Sequence, residues 1–238
     1  MFKALARLFG YELIHRRKSP TLDAHLRLVL EKLNVDLVID VGANAGQFGA
    51  GLRRLGYRGR ILSFEPVTST FERLQERAAG DRHWQVFKLA LGEQRETLAI
   101  NAFESSDLSS ILDPSAMGAA NYPSMRAGRK ESIQVDTLDH VFESEGSSAS
   151  RLMLKMDTQG YDLKVYRGAA SSLGRVQAVV SELSFQPIYE GMPDYRQMLA
   201  EFESAGFAVS GLFPVSRNPD LSVIEMDCVL VRQVAPTA

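Results

Sequence analysis

Apolar residues fall along this chain in two alternating rhythms. Short runs at Asp36–Val41 (DLVIDV), Arg60–Phe64 (RILSF), Gln85–Leu89, Arg151–Met156 (RLMLKM) and Gln177–Leu183 (QAVVSEL) have the length of strands covered on both faces. Between them the apolar spacing becomes helical. Phe48, Leu52 and Leu55 share one face of Gln47–Leu55, and Gly56 ends it. Ser69–Ala79 opens with Ser69 and Glu72 at capping-box spacing. A helix is predicted through Val165 and Tyr166 to Leu173, and another over Asp194–Ala205, between Pro193 and Gly206. Glu96–Ala102 and Glu131–Val135 read as two further strands, and Phe207–Phe213 with Val223–Val231 as a closing pair. The alternation predicts an α/β fold, a doubly wound, mostly parallel sheet with a C-terminal antiparallel strand pair. Ligands of such folds sit at the C-terminal ends of the strands, near the switch in strand order. Two stretches break the rhythm: Glu104–Lys130 reads as a long loop with one helical turn, and Glu143–Ser150 as a surface loop.

The first residues, MFKALARLFGYELIHRRKSP, place Phe2, Leu5, Phe9 and Leu13 at helical spacing before Arg16, Arg17 and Lys18. They predict a helical extension over residues 1–34 ahead of a catalytic domain at 35–238, either docked on that domain or making weak membrane-surface contact. The stretch lacks the apolar run and cleavage site of a signal peptide. No segment approaches the roughly 18–20 apolar residues of a spanning helix. With 27 Lys and Arg against 29 Asp and Glu, the net charge of −2 offers no cationic surplus for phosphate contacts, so no nucleic-acid partner is expected. The single cysteine, Cys228, excludes an intrachain disulfide and fits a reducing, cytoplasmic setting.

The strongest chemical signal is DVGANAGQFG, Asp40 to Gly49, between a strand and a helix. Gly42 lets the chain turn off the strand, and Gly46 allows close approach to a ligand. The pattern is not the G-x-G-x-x-G of nicotinamide or flavin proteins, which argues against a nucleotide-cofactor oxidoreductase. Asn44 offers a donor and an acceptor suited to the amino acid end of S-adenosylmethionine. Glu65 in SFEP stands about twenty residues past Gly42, where an acid accepts from ribose hydroxyls, and Pro66 forces an extended exit. A third signal is LKMDTQGYDLKVYRGA, from Leu154. Asp157 is expected at the tip of a core strand, with Lys155 on the same face and Glu182 or Asp157 as its partner. A structural ion pair with Asp157 capping the next helix accounts for these residues equally well.

DVGANAGQF, the SFEP acid, the insertion containing SSIL, VDTLD and LKMDTQGYDLKVYRGA together resemble the FkbM family of methyltransferases, from about Val35 to Val231. The resemblance implies a Rossmann-like class I methyltransferase fold of seven strands. It also implies S-adenosylmethionine as cofactor, bound by Gly42, Asn44, Gly46 and Glu65, and O-methylation of sugar or polyketide-like hydroxyls. Around these, Asp40, Ala43, Gln47, Phe48, Pro66, Ala90, Leu91, Ser110 and Asp157 are assigned to the cofactor. Many relatives carry Val-Glu-Gly where this chain has Thr158-Gln159-Gly160, and a neutral Gln159 cannot act as base or metal ligand as a carboxylate would. Asp157 is expected to be the general base, or to position the acceptor together with Glu182, with Lys155 as the third catalytic candidate. Oxygen ligands at the two acids would suit Mg²⁺, but no metal ligand is assigned and no His/Cys spacing for zinc occurs. His140 reads as a satisfied histidine. Asp107–Leu112 is expected to cover the cofactor, with Ser109 and Ser110 hydrogen-bonding the adenine or the acceptor, and Phe185, Tyr189 and Tyr195 to form a lid or acceptor wall, with core cover as the alternative. The intact glycines and Glu65 argue against a non-catalytic binding module.

Overall fold

The computed structural model describes residues 21–145 and 149–233. The basic amphipathic stretch that opens the chain lies outside them. The first described helix, α1 (Leu22–Lys32), is capped by Thr21, whose hydroxyl accepts from Ala24 N. It buries Leu26, Val29 and Leu30 against the sheet.

The main sheet has seven strands. β1 (Leu37–Val41), β2 (Arg60–Phe64) and β3 (Trp84–Phe87) run parallel, linked by α2 (Gln47–Arg54) and α3 (Thr68–Ala78). Next come β4 (Ala90–Leu91), β5 (Glu96–Phe103) and β6 (Gly128–Asp136), which form a separate three-stranded sheet in the order β4-β6-β5. Between β5 and β6 lie short turns of helix at Ser106–Leu108 and Pro123–Arg126, and α4 (Ala116–Asn121). The chain re-enters the main sheet through α5 (Leu138–Glu145), β7 (Leu152–Met156), α6 (Asp162–Arg167) and β8 (Val176–Ser184). Finally α7 (Tyr195–Ser204) leads to β9 (Phe207–Arg217) and β10 (Val223–Arg232). The order is β3-β2-β1-β7-β8-β10-β9, with β10 antiparallel to both neighbours. The expected doubly wound sheet and closing antiparallel pair are therefore present.

β1 and β7 are buried at every position, so both faces need cover. On one face Ile39, Leu154 and Val179 pack with Val141, Val165 and Phe202 of α5, α6 and α7. On the other, Val38, Met153 and Val180 pack with Leu26, Leu52 and Leu74 of α1, α2 and α3. After β1 the sheet grows towards β3, whereas β7 joins the opposite side of β1, so the order switches between β1 and β7. The strand tips diverge there, which leaves a crevice.

Local departures have identifiable causes. The capping box at Ser69 and Glu72 does not form. α3 starts one residue earlier behind Val67, and Glu131 of β6 accepts from Thr68 N at 3.0 Å. The helix expected to reach Leu173 stops at Arg167. Gly168 packs on the Gly92 carbonyl, and Asp139 then accepts from the amides of Ser171 and Ser172 at 2.8 and 2.9 Å, drawing the chain into turns.

Candidate active site

The glycine loop leaves β1 through Gly42, whose φ is +69°. A Cβ there would sit 1.9 Å from the Asp157 carbonyl oxygen, so only glycine lets the tips of β1 and β7 meet. The amides of Gly42 and Ala43 donate to Phe64 O at 3.1 and 3.0 Å, which ties the loop to the end of β2. Just beyond that end, Glu65 accepts from Asn44 N at 3.0 Å and Val67 N at 2.9 Å. Burial pushes its carboxyl up to about 7, against the opposing pull of the two amides.

Under the loop, Asp40 and Lys155 are register partners on β1 and β7. Parallel partners project to the same face, so their side chains meet, with Nζ to Oδ1 at 3.1 Å. Lys155 also donates to Gly42 O at 3.0 Å and lies 3.6 Å from Asp157 Oδ2. Burial alone would lower the lysine, but Asp40 and Asp157 outweigh it and hold it above its ordinary value. Asp40 is fully buried, and its Oδ2 accepts from Ser63 Oγ at 3.0 Å, which in turn accepts from Trp84 Nε1 at 3.0 Å. The expected Lys155–Glu182 pair does not form: Asp40, not considered as its partner from the sequence, takes that place. Lys155 is thereby committed to bracing the loop.

Two openings meet at the strand tips. A pocket of about 620 Å³ runs beneath Glu65 and Pro66, past Ala90 and Leu91 and the side chains of Ile100 and Ile111. A cleft of about 870 Å³ opens on the other side of the loop, between Ala43, Gln47, Phe48, Lys155, Val180 and Asp227. Gly42, Asn44, Asp107 and Asp157 line both. Of the residues assigned to the cofactor, Gly42, Asn44, Glu65, Pro66, Ala90, Leu91 and Asp157 line the first pocket. Ala43, Gln47 and Phe48 line the neighbouring cleft instead. Asp40 and Gly46 line neither: Asp40 is an internal brace, and Gly46 opens α2 in a left-handed turn against Leu74. Ser110 is buried, donating to Gln159 O at 2.7 Å, while Ser106, Asp107 and Ser109 line the pocket. Asn44 Oδ1 accepts from Ser106 Oγ at 3.0 Å, which fastens the insertion across the loop.

Asp157 and Glu182 come together through a residue the sequence had set aside. Gln159, in the left-handed region at φ +53°, donates from Nε2 to Asp157 Oδ1 at 2.8 Å and Glu182 Oε2 at 3.2 Å. Its Oε1 and the Leu108 carbonyl share the Tyr189 hydroxyl proton, each at 2.8 Å. Asp162 secures the same turn, accepting from Thr158 N at 2.8 Å and Ser181 Oγ at 2.6 Å. Glu182 is pushed well above the usual carboxylate range by burial, then by Asp157, Glu225, Asp227 and Asp162. Burial and Asp157 likewise push Asp227 up to about 6. Side-chain spacing could not have found the Gln159 contacts, because they depend on a positive φ. Asp227 was legible only as a member of a strand.

Of the aromatic candidates, Tyr189 is buried and acts as an anchor, whereas Phe185 and Tyr195 stack on each other at 4.2 Å and line neither opening. His140 bonds Asp136 at 2.9 Å, at the start of α5. Among the described residues, no group of three or more His, Cys, Asp or Glu is arranged to hold a metal ion. No helix among them is long and apolar enough to cross a membrane.

Comparison with known proteins adds an independent line. The chain is 23% identical to the 2-O-methyltransferase NoeI of Sinorhizobium fredii, over 77% of this chain and 78% of that one. It is 28% identical to the hexuronic acid methyltransferase AglP of Haloferax volcanii, over 66% of this chain and 60% of that one. A solved structure of magnesium protoporphyrin IX methyltransferase from Synechocystis PCC 6803 with bound SAM is similar at 10% identity and a TM-score of 0.46, covering 98% of this chain and 91% of that one. The family model described as the methyltransferase FkbM domain matches residues 40–209, a span that holds the glycine loop, Glu65 and the Asp157 turn, and the chain is a methyltransferase of the FkbM family.

Proposed function

We propose that this protein is an S-adenosylmethionine-dependent O-methyltransferase acting on a hydroxyl of a sugar, glycan or polyketide-like small molecule, with Asp157 as proton acceptor. The observation that carries the reading is the meeting of two openings at Asp157, the carboxylate at the tip of β7. The pocket suits the nucleoside end of the cofactor: Glu65 is a buried acceptor at the tip of β2, and Ala90, Leu91 and Ile100 make an apolar slot. Asn44, whose Oδ1 is already engaged, keeps its Nδ2 group as a donor for the amino acid end. When bound, the cofactor supplies a methyl group activated by its sulfonium.

The chain's own residues then have two tasks. The neighbouring cleft aligns the acceptor hydroxyl, and alignment alone contributes much of the rate in a displacement of this kind. Asp157, whose side chain is 43% exposed and borders both openings, takes the hydroxyl proton as the new O–C bond forms. Lys155 keeps the glycine loop and Asp157 in register. A sugar acceptor is supported by a relative whose name specifies a hexuronic acid, and transfer to oxygen by one named a 2-O-methyltransferase.

The test is titration calorimetry with S-adenosylmethionine, S-adenosylhomocysteine and NAD, followed by a screen of glycosides and polyketide-like alcohols for label from methyl-labelled cofactor. Binding of the first two but not NAD, and label on oxygen, is expected. Failure of both to bind would overturn the cofactor. Wild-type turnover by Asp157→Asn would overturn the base.

A further inference from the structure

Gln159 hydrogen-bonds both candidate carboxylates, and the proposed reaction assigns it no part. Its surroundings are asymmetric in a way that suits only a carboxamide. One end faces two carboxylate oxygens, Asp157 Oδ1 at 2.8 Å and Glu182 Oε2 at 3.2 Å, and so must donate. The other end faces the Tyr189 hydroxyl at 2.8 Å and so accepts. A carboxylate at this position would set a third acceptor against two others. An apolar side chain would take the donor from Asp157 Oδ1 and Glu182 Oε2 and leave Asp157 to Lys155 alone.

The backbone of the residue is fixed as firmly as the side chain. Gln159 and Gly160 have φ of +53° and +89°. The Gln159 carbonyl takes the Ser110 hydroxyl at 2.7 Å, and Thr158 before it is held by Asp162. Tyr189, which grips the amide, is 1% exposed and is itself set against the Leu108 carbonyl. A donor held this rigidly fixes the rotation of whatever accepts from it. Asp157 is then gripped at both oxygens, by Gln159 on Oδ1 and Lys155 on Oδ2.

We propose that Gln159 is a positioning residue, whose carboxamide spans Asp157 and Glu182 and holds Asp157 in the rotation from which it accepts the acceptor hydroxyl's proton. This rests on the methyltransferase reading above. In the step it serves, the acceptor oxygen forms its bond to the methyl carbon as the carbon–sulfur bond breaks. The sulfur leaves as a neutral thioether, and the hydroxyl proton passes to Asp157 and on to solvent. Gln159 takes no proton. The groups that face Glu182 are Asp157 and Asp162 from the β7–α6 segment, Glu225 and Asp227 from β10, the hydroxyls of Tyr122 and Tyr189, and Gln159 itself, which donates an N–H to it.

The experiment compares wild type with Gln159→Leu, Gln159→Glu, Asp157→Asn and the Gln159→Leu/Asp157→Asn double variant. S-adenosylhomocysteine binding is measured first. If wild type does not bind it, the methyltransferase reading fails, and the inference with it. With binding established and within about threefold in Gln159→Leu, kcat on the labelled acceptor from the screen is expected to fall about 10- to 100-fold. In the Asp157→Asn background the same change is expected to cost almost nothing, because the residue acts through Asp157. An equal loss in both backgrounds, or kcat within threefold of wild type, overturns the proposal. Gln159→Glu retains the size of the side chain and guards against misfolding of the leucine variant. It should transfer methyl groups while its new carboxyl holds a proton to donate, and lose activity as that proton leaves, giving an alkaline limb that wild type lacks. A parallel profile overturns the proposal. A readout without turnover is carboxyl ¹³C NMR of glutamate-labelled protein: the Glu182 resonance should titrate at higher pH in Gln159→Leu than in wild type, and an unchanged titration again counts against it.

Discussion

Glu65 makes cofactor binding depend on pH in a direction that can be worked from the structure. Burial raises its carboxyl from 4.5 to about 7, although two backbone amides point at it. Ribose hydroxyls would donate to its ionised form, so a ligand that needs the anion has to expel a proton below pH 7. With the value at about 7, roughly one tenth of the protein is ionised at pH 6 and nine tenths at pH 8. Affinity for S-adenosylhomocysteine should therefore be ~10-fold weaker at pH 6 than at pH 8. Glu65→Gln should bind about 10- to 100-fold more weakly at pH 8, the loss of one charge-assisted hydrogen bond, with a nearly flat dependence between the two pH values. Stability gives a second readout. The folded-state value lies above the unfolded one, so the native chain holds a proton that the unfolded chain releases from pH 4.5 upward. That contribution is lost as pH rises to about 7 and amounts to about 3 kcal/mol. The glutamine variant should accordingly gain on wild type across that window. The assay is calorimetry at several pH values in buffers of different ionisation enthalpy, paired with urea melts. A wild-type affinity that varies less than twofold from pH 6 to pH 8, with no proton release at pH 6.5, would refute the reasoning.

Three further outcomes follow from the same frame. Lys155→Met leaves Asp40 fully buried without its cation and should cost about 3–5 kcal/mol in urea unfolding, of which Lys155→Met/Asp40→Leu should recover a large part. Gly42→Ala forces a Cβ against the Asp157 carbonyl at a positive φ and should lower stability by at least about 2 kcal/mol while abolishing cofactor binding, read by thermal melting and calorimetry. Glu182→Gln relieves the crowding of carboxylates around a buried group. Because the folded-state carboxyl is held above its unfolded value, the substitution should make the protein more stable than wild type at pH 8, a gain that shrinks as pH falls towards the ordinary carboxylate range, and melting temperatures across about pH 5 to 8 would measure it.

What was readable in the sequence is what short-range chemistry decides. The glycine loop, Glu65 at a strand tip and Asp157 at another each depend on a few neighbouring residues, and all three line the pocket. Partners set by long-range register were not readable. Lys155 was given Glu182 or Asp157 because both are near in sequence or on the next predicted strand, whereas its closest acid, Asp40, is fixed by the β1–β7 pairing. Gln47 and Phe48 follow the loop directly, yet the left-handed turn at Gly46 directs them to the second cleft. The insertion between β5 and β6 showed no period because its helical pieces, such as Ser106–Leu108, are too short to repeat one. The role of Gln159 is not legible in the sequence, because a carboxamide is no base and becomes useful as a donor only once the fold sets it between two acids.

The chain contains a single tryptophan, and its place in the fold turns it into an optical reporter. Trp84 is 7% exposed, and its indole N–H leads through Ser63 to Asp40 and from there to Lys155, which borders the cleft. Intrinsic emission excited at the red edge of the indole band therefore comes from one known position, with no background to subtract. A ligand that shifts Lys155 or the glycine loop changes the electric field along this hydrogen-bonded line, and the spectrum moves with it. The protein needs no attached dye for stopped-flow work on its own binding steps, and Ser63→Ala, which cuts the line at its second link, is the control that separates this signal from general loosening of the fold.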